Sequence, residues 1–95
     1  MSPVFEHIRQ AKYLLQQLLE SGFLSGRGFE TELSECQESA KILGLSTAHN
    51  LLKRLSQSLT AMRGGQDLFT EASSIYSALT AYYNYITSKL ILELI

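Results

Sequence analysis

Two glycines do most to limit what this chain can fold into. Gly22 and Gly44 each close a run of apolar residues at helical spacing, and each is followed by a large apolar residue, Phe23 or Leu45. Glycine adopts the left-handed backbone conformation at little steric cost, and an apolar residue after it packs back onto the last helical turn, which makes a Schellman ending. A chain stopped twice by the same chemistry is a chain of separate helices. In Leu43-Gly44-Leu45-Ser46 one helix stops, a hydrophobic anchor follows, and Ser46 is placed to cap the next helix.

The segments between these stops carry the matching periodicity. Helix one is predicted from about Pro3 to Ser21, with Ser2 as cap and Pro3 at the first helical position, where its missing N–H would lack a partner anyway. Val4, Phe5, Ile8, Ala11, Leu15, Leu18 and Leu19 form its apolar stripe, and Tyr13 points away from it. Ser25-Gly26-Arg27-Gly28 reads as a connector, because a phosphate-binding loop would need Gly-Lys-Ser/Thr after a strand. Helix two is predicted from about Phe29 to Leu43, with Phe29, Leu33, Cys36, Ala40 and Leu43 facing inward. Helix three runs from the Ser46 cap to about Arg63, where Gly64-Gly65 ends it, with Ala48, Leu51, Leu52, Leu55, Leu59 and Met62 inward. Helix four begins at about Leu68 after an Asp67 cap. Its inner stripe is Leu68, Ala72, Ile75, Tyr76, Leu79, Tyr83, Ile86 and Leu90.

No segment alternates with period two, and the single proline is Pro3. Four amphipathic helices joined by short connections predict an all-α fold, an antiparallel up-down-up-down four-helix bundle. At 95 residues the chain suits one domain, residues 1–95. A domain of this size buries only about 60–68% of the surface its unfolded chain exposes, so self-association would add stability. Helix four, at about 36 Å, is longer than helix two, at about 22 Å, and so should overhang the bundle.

Charge and composition narrow the function classes. A net charge of −1 gives no global attraction to nucleic acid or to an anionic membrane. Cys36 is the only cysteine, which rules out an internal disulfide and a multi-cysteine zinc site and fits a reducing compartment. No run of apolar residues is long enough for a membrane span, and Met1 to His7 lacks the basic and apolar regions of a signal peptide. The expected location is cytoplasmic.

Enzyme chemistry finds little to work with. Asp67 is the only aspartate and is expected to cap a helix, and His7 and His49 are the only histidines. No nucleophile-elbow spacing supports a Ser-His-Asp arrangement, and no Glu-x-x-His pair faces inward for a di-metal centre. Cys36 with His49 has the donor types for a metal, but Cys36 lies on the inner stripe, where cysteine is ordinarily a small core hydrophobe. His49 falls near the third helical position, where a neutral contact to the helix N-terminus accounts for it. No catalytic, cofactor-binding or metal-ligating residue is expected, and no cofactor. Tyr76 and Tyr83 are expected in the core with their hydroxyls at its edge, Tyr82 beside the stripe, and Tyr85 outside.

Charge is segregated between the middle helices. Helix two carries Glu30, Glu32, Glu35 and Glu38 against Lys41, while helix three carries Lys53, Arg54 and Arg63 and no acid. The two should attract across their seam, and Asn50, Lys53, Arg54 and Gln57 form a basic outer face that nucleic acid could use. The stretch Ala40 to Ser46 resembles the first helix and turn of a helix-turn-helix. That motif, however, wants buried apolar residues where this chain has Asn50 and Lys53, and burying those would be costly.

A second resemblance covers residues 14–90. Leu18-Leu19-Glu20-Ser21-Gly22-Phe23-Leu24, followed by Leu33, Cys36, Ala40, Leu43-Gly44-Leu45, Leu51-Leu52, Leu55 and Leu59, resembles a helical segment of bacterial SWIM-type zinc-finger proteins. There a Leu-Leu-x-x-Gly-Leu helix end precedes a Gly-Leu-x-x-Leu-Ala junction. The Cys-x-Cys and Cys-x-His pairs of the finger are missing, so zinc binding does not carry over. The resemblance implies a helical accessory module.

The leading expectation is therefore a non-enzymatic bundle acting through protein–protein contact. Self-association as a homodimer comes first and another protein is the second partner class. Tyr85 points outward, Ile91, Leu92 and Ile95 fall off the inner stripe, and these residues with Leu94 are the expected contact residues. The alternative, to which the charge balance gives little support, is nucleic-acid binding through Asn50, Lys53, Arg54 and Gln57.

Overall fold

The computed structural model describes residues 2–23 and 27–94, the side chains of Arg27 and Leu94 excepted. Four helices follow one another: α1 (Pro3–Glu20), α2 (Arg27–Ile42), α3 (Ser46–Arg63) and α4 (Phe69–Leu94). No strand occurs among the described residues, so the fold is the expected all-α four-helix bundle. Both glycine stops form as Schellman endings. At Gly22 (φ +67°) the Phe23 amide donates to the Leu18 carbonyl at 2.9 Å and the Gly22 amide to Leu19 at 3.1 Å. At Gly44 (φ +75°) the Leu45 amide donates to Ala40 at 2.9 Å and the Gly44 amide to Lys41 at 3.1 Å. The end of α3 is built in the same way: Gly65 is left-handed and the Gln66 amide reaches back to Ala61 at 3.1 Å. There the residue after the glycine is polar, so the apolar signature that marks the other two stops is missing.

Phe23 carries a cost the other endings avoid. Its own φ is +69°, a conformation worth about 1–2 kcal/mol of strain for a residue with a Cβ. The ring is buried and packs edge-on to Phe69 at 5.3 Å and tilted against Tyr76 at 5.7 Å. Such ring pairs contribute about 0.5–1.5 kcal/mol each beyond their burial, enough to offset the backbone. Phe23 thereby ties the end of α1 to the start of α4.

The helix starts differ from the sequence reading. Ser2 caps α1 as expected, its hydroxyl accepting from the Val4 amide at 3.2 Å. Ser46, in contrast, is the first residue of α3 and does not cap it. The Leu45 carbonyl accepts the first helical bond, from His49, so one residue both closes α2 and opens α3 and no position remains for a serine cap. In α4 the Leu68 carbonyl accepts from Ala72 at 2.9 Å, so Leu68 takes the place expected of Asp67. Helix α2 opens at Arg27, drawing Arg27 and Gly28 out of the expected connector, and ends at Ile42. Gly28 is tolerable there because first-turn amides need no helical partner. Leu24, Ser25 and Gly26 lie outside the described residues.

Around the bundle α1 packs against α2 and α4, and α3 against α2 and α4, and among the described residues the diagonal pairs stay apart. Side-chain contacts between helices join residues far apart in the chain. His7 meets Cys36 and Tyr83, Phe23 meets Phe69, and the imidazole Nδ1 of His49 lies 3.1 Å from the Gln37 carbonyl. This last bond corrects the expectation that His49 serves its own helix start. Glu30 at the start of α2 pairs with Arg63 at the end of α3, so one ion pair of the expected acid–base seam is made.

The core contains most of the expected stripes, with one rotation. In α1 the buried residues are His7, Ile8, Ala11, Leu14, Leu15 and Leu18. Leu14 and His7 replace Leu19, which is 57% exposed, while Val4 and Phe5 are half-buried. The seam is centred on the spacing of His7, Ala11, Leu14 and Leu18, a line hidden in the sequence by its one polar member. Leu43, Leu51, Met62, Tyr76, Ile86 and Leu90 are half-buried at the rim.

Candidate interaction surface

The most polar part of the interior is a three-residue network between α1, α2 and α4. His7 Nε2 lies 2.8 Å from the Tyr83 hydroxyl, and its Nδ1 lies 3.9 Å from Cys36 Sγ. All three side chains are essentially inaccessible, Tyr83 and Cys36 at 0% and His7 at 2%. Tyr82 stacks edge-on against Tyr83 at 5.5 Å, and the Thr87 hydroxyl donates to the Tyr83 carbonyl at 2.7 Å. The Tyr83 hydroxyl is therefore inside the core and not at its edge, contrary to expectation.

A cysteine beside a histidine has the donor types of a nucleophilic pair, but the surroundings oppose that chemistry. Nucleophilic cysteines are exposed thiolates in electropositive settings. Burial instead pushes the Cys36 thiol up to about 12. Burial lowers the affinity of His7 for a second proton, so the imidazole stays neutral. Burial first, and then the nearby Cys36 and Tyr82, hold the Tyr83 hydroxyl protonated. Tyr82 is shifted upward by burial too. A neutral imidazole has one donor and one acceptor nitrogen, and the hydroxyl and thiol on either side use both. The network is self-satisfied and closed to solvent. Among the described residues no group of three or more His, Cys, Asp or Glu side chains is placed to hold a metal ion.

The surface offers two candidate faces. Asn50, Lys53, Arg54 and Gln57 are all exposed and share the outer side of α3, opposite buried Leu52, Leu55 and Leu59. With Arg63 engaged by Glu30, Lys53 and Arg54 are the cations this face presents. Two phosphate contacts would give only a shallow salt dependence.

The other face belongs to α4. Tyr85 is 60% exposed and Leu92 69% exposed. Seven residues, about two turns, separate them, so they emerge on one side. The Lys89 ammonium lies 5.5 Å from the Tyr85 ring centroid, over its face. Ile91, 49% exposed, is turned about 100° from Leu92 toward the side of Thr87, which lines a shallow groove with Phe5, Ile8, Arg9 and Lys12 of α1. The expected contact residues thus divide, with Tyr85 and Leu92 on the outer face and Ile91 on the edge facing α1. The Leu94 side chain and Ile95 lie outside the described residues. Among the described residues, Leu90 is the last of α4 packed against the core. A further groove between α1 and α4 is lined by Lys12, Leu15, Gln16, Leu19, Tyr76, Thr80 and Asn84. No described helix is long and apolar enough to cross a membrane.

The chain matches no protein-family model, no curated protein and no solved structure.

Proposed function

We propose that this protein is a non-enzymatic helical module that works through protein–protein contact, and that its first partner is a second copy of itself held through α4. The observation that carries this reading is the exposure of Tyr85, Ile91 and Leu92 on one helix, two of them beyond Leu90, the last described residue packed on the core. Burying side chains of this size contributes about 1.5–3 kcal/mol each relative to exposure, and leaving them in water invites aggregation. A cytoplasmic homodimer is the proposed form, in keeping with a single cysteine that is buried in the core. The proposed role is that of an accessory module, as the SWIM-type resemblance implies. Light scattering on the full chain and on a version ending at Lys89 tests it: the full chain should be a dimer and the shorter one should associate more weakly. A monomer in both removes the proposal.

A second reading rests on the exposed Lys53 and Arg54, which share a face with Asn50 and Gln57. If that face binds nucleic acid, a gel shift at low salt should disappear in the Lys53→Ala, Arg54→Ala variant.

A further inference from the structure

The outer side of α4 is unlike the outer sides of the other helices. Between Glu71 and Lys89 it has no charged residue, whereas exposed charges recur along α1, α2 and α3. Along it lie Ser74, Ala78, Ala81, Tyr85, Ser88 and Leu92, all exposed, at alternating four- and three-residue steps. That is the spacing of a seam between two helices, and loss of charge with retention of tyrosine marks the centre of a protein interface. The inner side, Ala72, Ile75, Leu79 and Tyr83, is already filled by the bundle.

The two charges that bound this face are of opposite sign. Glu71 and Lys89 are about five helical turns apart and therefore emerge on the same side of α4. A two-fold axis perpendicular to the helix exchanges its ends and keeps that side. We infer that two copies of this chain pair antiparallel along α4, with the axis between Ala78 and Ala81, so that Glu71 of each copy meets the partner's Lys89. This rests on the self-association proposed above and assigns its register. Ala78 faces the partner's Ala81, where small side chains let the helices approach. Ser74 faces the partner's Tyr85. Leu92 passes the partner's Glu71 and covers the turn before its α4. A parallel pairing would leave Glu71 and Lys89 at opposite ends of the seam and form neither ion pair, so the charges favour the antiparallel form.

The test is sedimentation equilibrium on the full chain and its variants, with circular dichroism confirming the fold of each. Glu71→Lys and Lys89→Glu should each weaken the dimer about tenfold, since each turns two attractive pairs into two repulsive ones. The double variant Glu71→Lys, Lys89→Glu should return to the wild-type constant. Ala81→Glu should give a folded monomer. Oxidation of a mixture of Ser74→Cys and Tyr85→Cys chains should give a disulfide-linked pair containing one of each, and neither variant alone should cross-link through its new cysteine. A dimer indifferent to Glu71→Lys, or self-cross-linking of either cysteine variant alone, overturns this register while leaving self-association standing. A wild-type chain that stays monomeric at all concentrations overturns both.

Discussion

The interior and the surface of this bundle each contain a group of residues in the opposite environment to the usual one. His7, Cys36 and Tyr83 place polar atoms in the core, and Tyr85 and Leu92 place apolar surface in water. The two differ in whether the chain meets the need by itself. The imidazole finds a hydroxyl on α4 and a thiol on α2, so the buried polar atoms are answered within one copy. On the outer face of α4, Lys89 lies over Tyr85, while Tyr85 and Leu92 remain exposed. A satisfied interior exception is structural, while an unsatisfied surface exception is what the proposed dimer would cover.

The sharpest way to break this comparison is to open the interior network. Tyr83→Ala should cost about 3–5 kcal/mol in urea unfolding, because a fully buried ring is lost. Tyr83→Phe keeps the ring and removes one hydroxyl, leaving the imidazole short of a partner, and should cost about 1–3 kcal/mol. If Tyr83→Phe unfolds at the wild-type denaturant midpoint, the network is not holding the core together.

Acid should act on the same residue. Burial lowers the His7 pKa below its usual 6.5, so the unfolded chain takes up that proton first. The stability this residue contributes is therefore present above about pH 6.5 and is lost as pH falls toward the folded pKa, at up to about 1.4 kcal/mol per unit. A His7→Leu variant should have a flatter profile between about pH 6.5 and 5, whatever its absolute stability. An unchanged slope would mean that His7 is already accessible to protons.

The surface group should respond in the opposite way. Leu92→Asp should move folding stability by less than about 0.5 kcal/mol at dilute concentration. In light scattering, however, it should abolish the proposed dimer. The smallest effect is expected at Ile42, which at 76% is the most exposed of the described large apolar side chains. It is outside the α4 face, so Ile42→Ser should change neither stability nor association. If it weakens the dimer, the contact includes α2.

Much of the fold was legible in the chain because its stops are local. A left-handed glycine and the apolar residue after it need nothing beyond the preceding turn, and Gly22-Phe23 and Gly44-Leu45 close their helices as read. Starts were harder to read. Ser46 and Asp67 have capping side chains, but the connections into α3 and α4 put Leu45 and Leu68 at those positions. On the candidate surface, the outward placement of Tyr85 and Leu92 followed from helical spacing. The turning of Ile91 toward α1 did not, since the sequence does not say which neighbour flanks which side of α4.

What the sequence alone determined is the set of four helices, where two of them stop, and most of each apolar stripe, because these depend on interactions within about one turn or on the 3.6-residue period. Tertiary structure decided the fate of the polar residues on those stripes. Whether His7 is a surface residue or a core residue depends on Cys36 and Tyr83, far away in the chain and on two other helices. Only the packing of α1 against both could supply the partners that make its burial affordable.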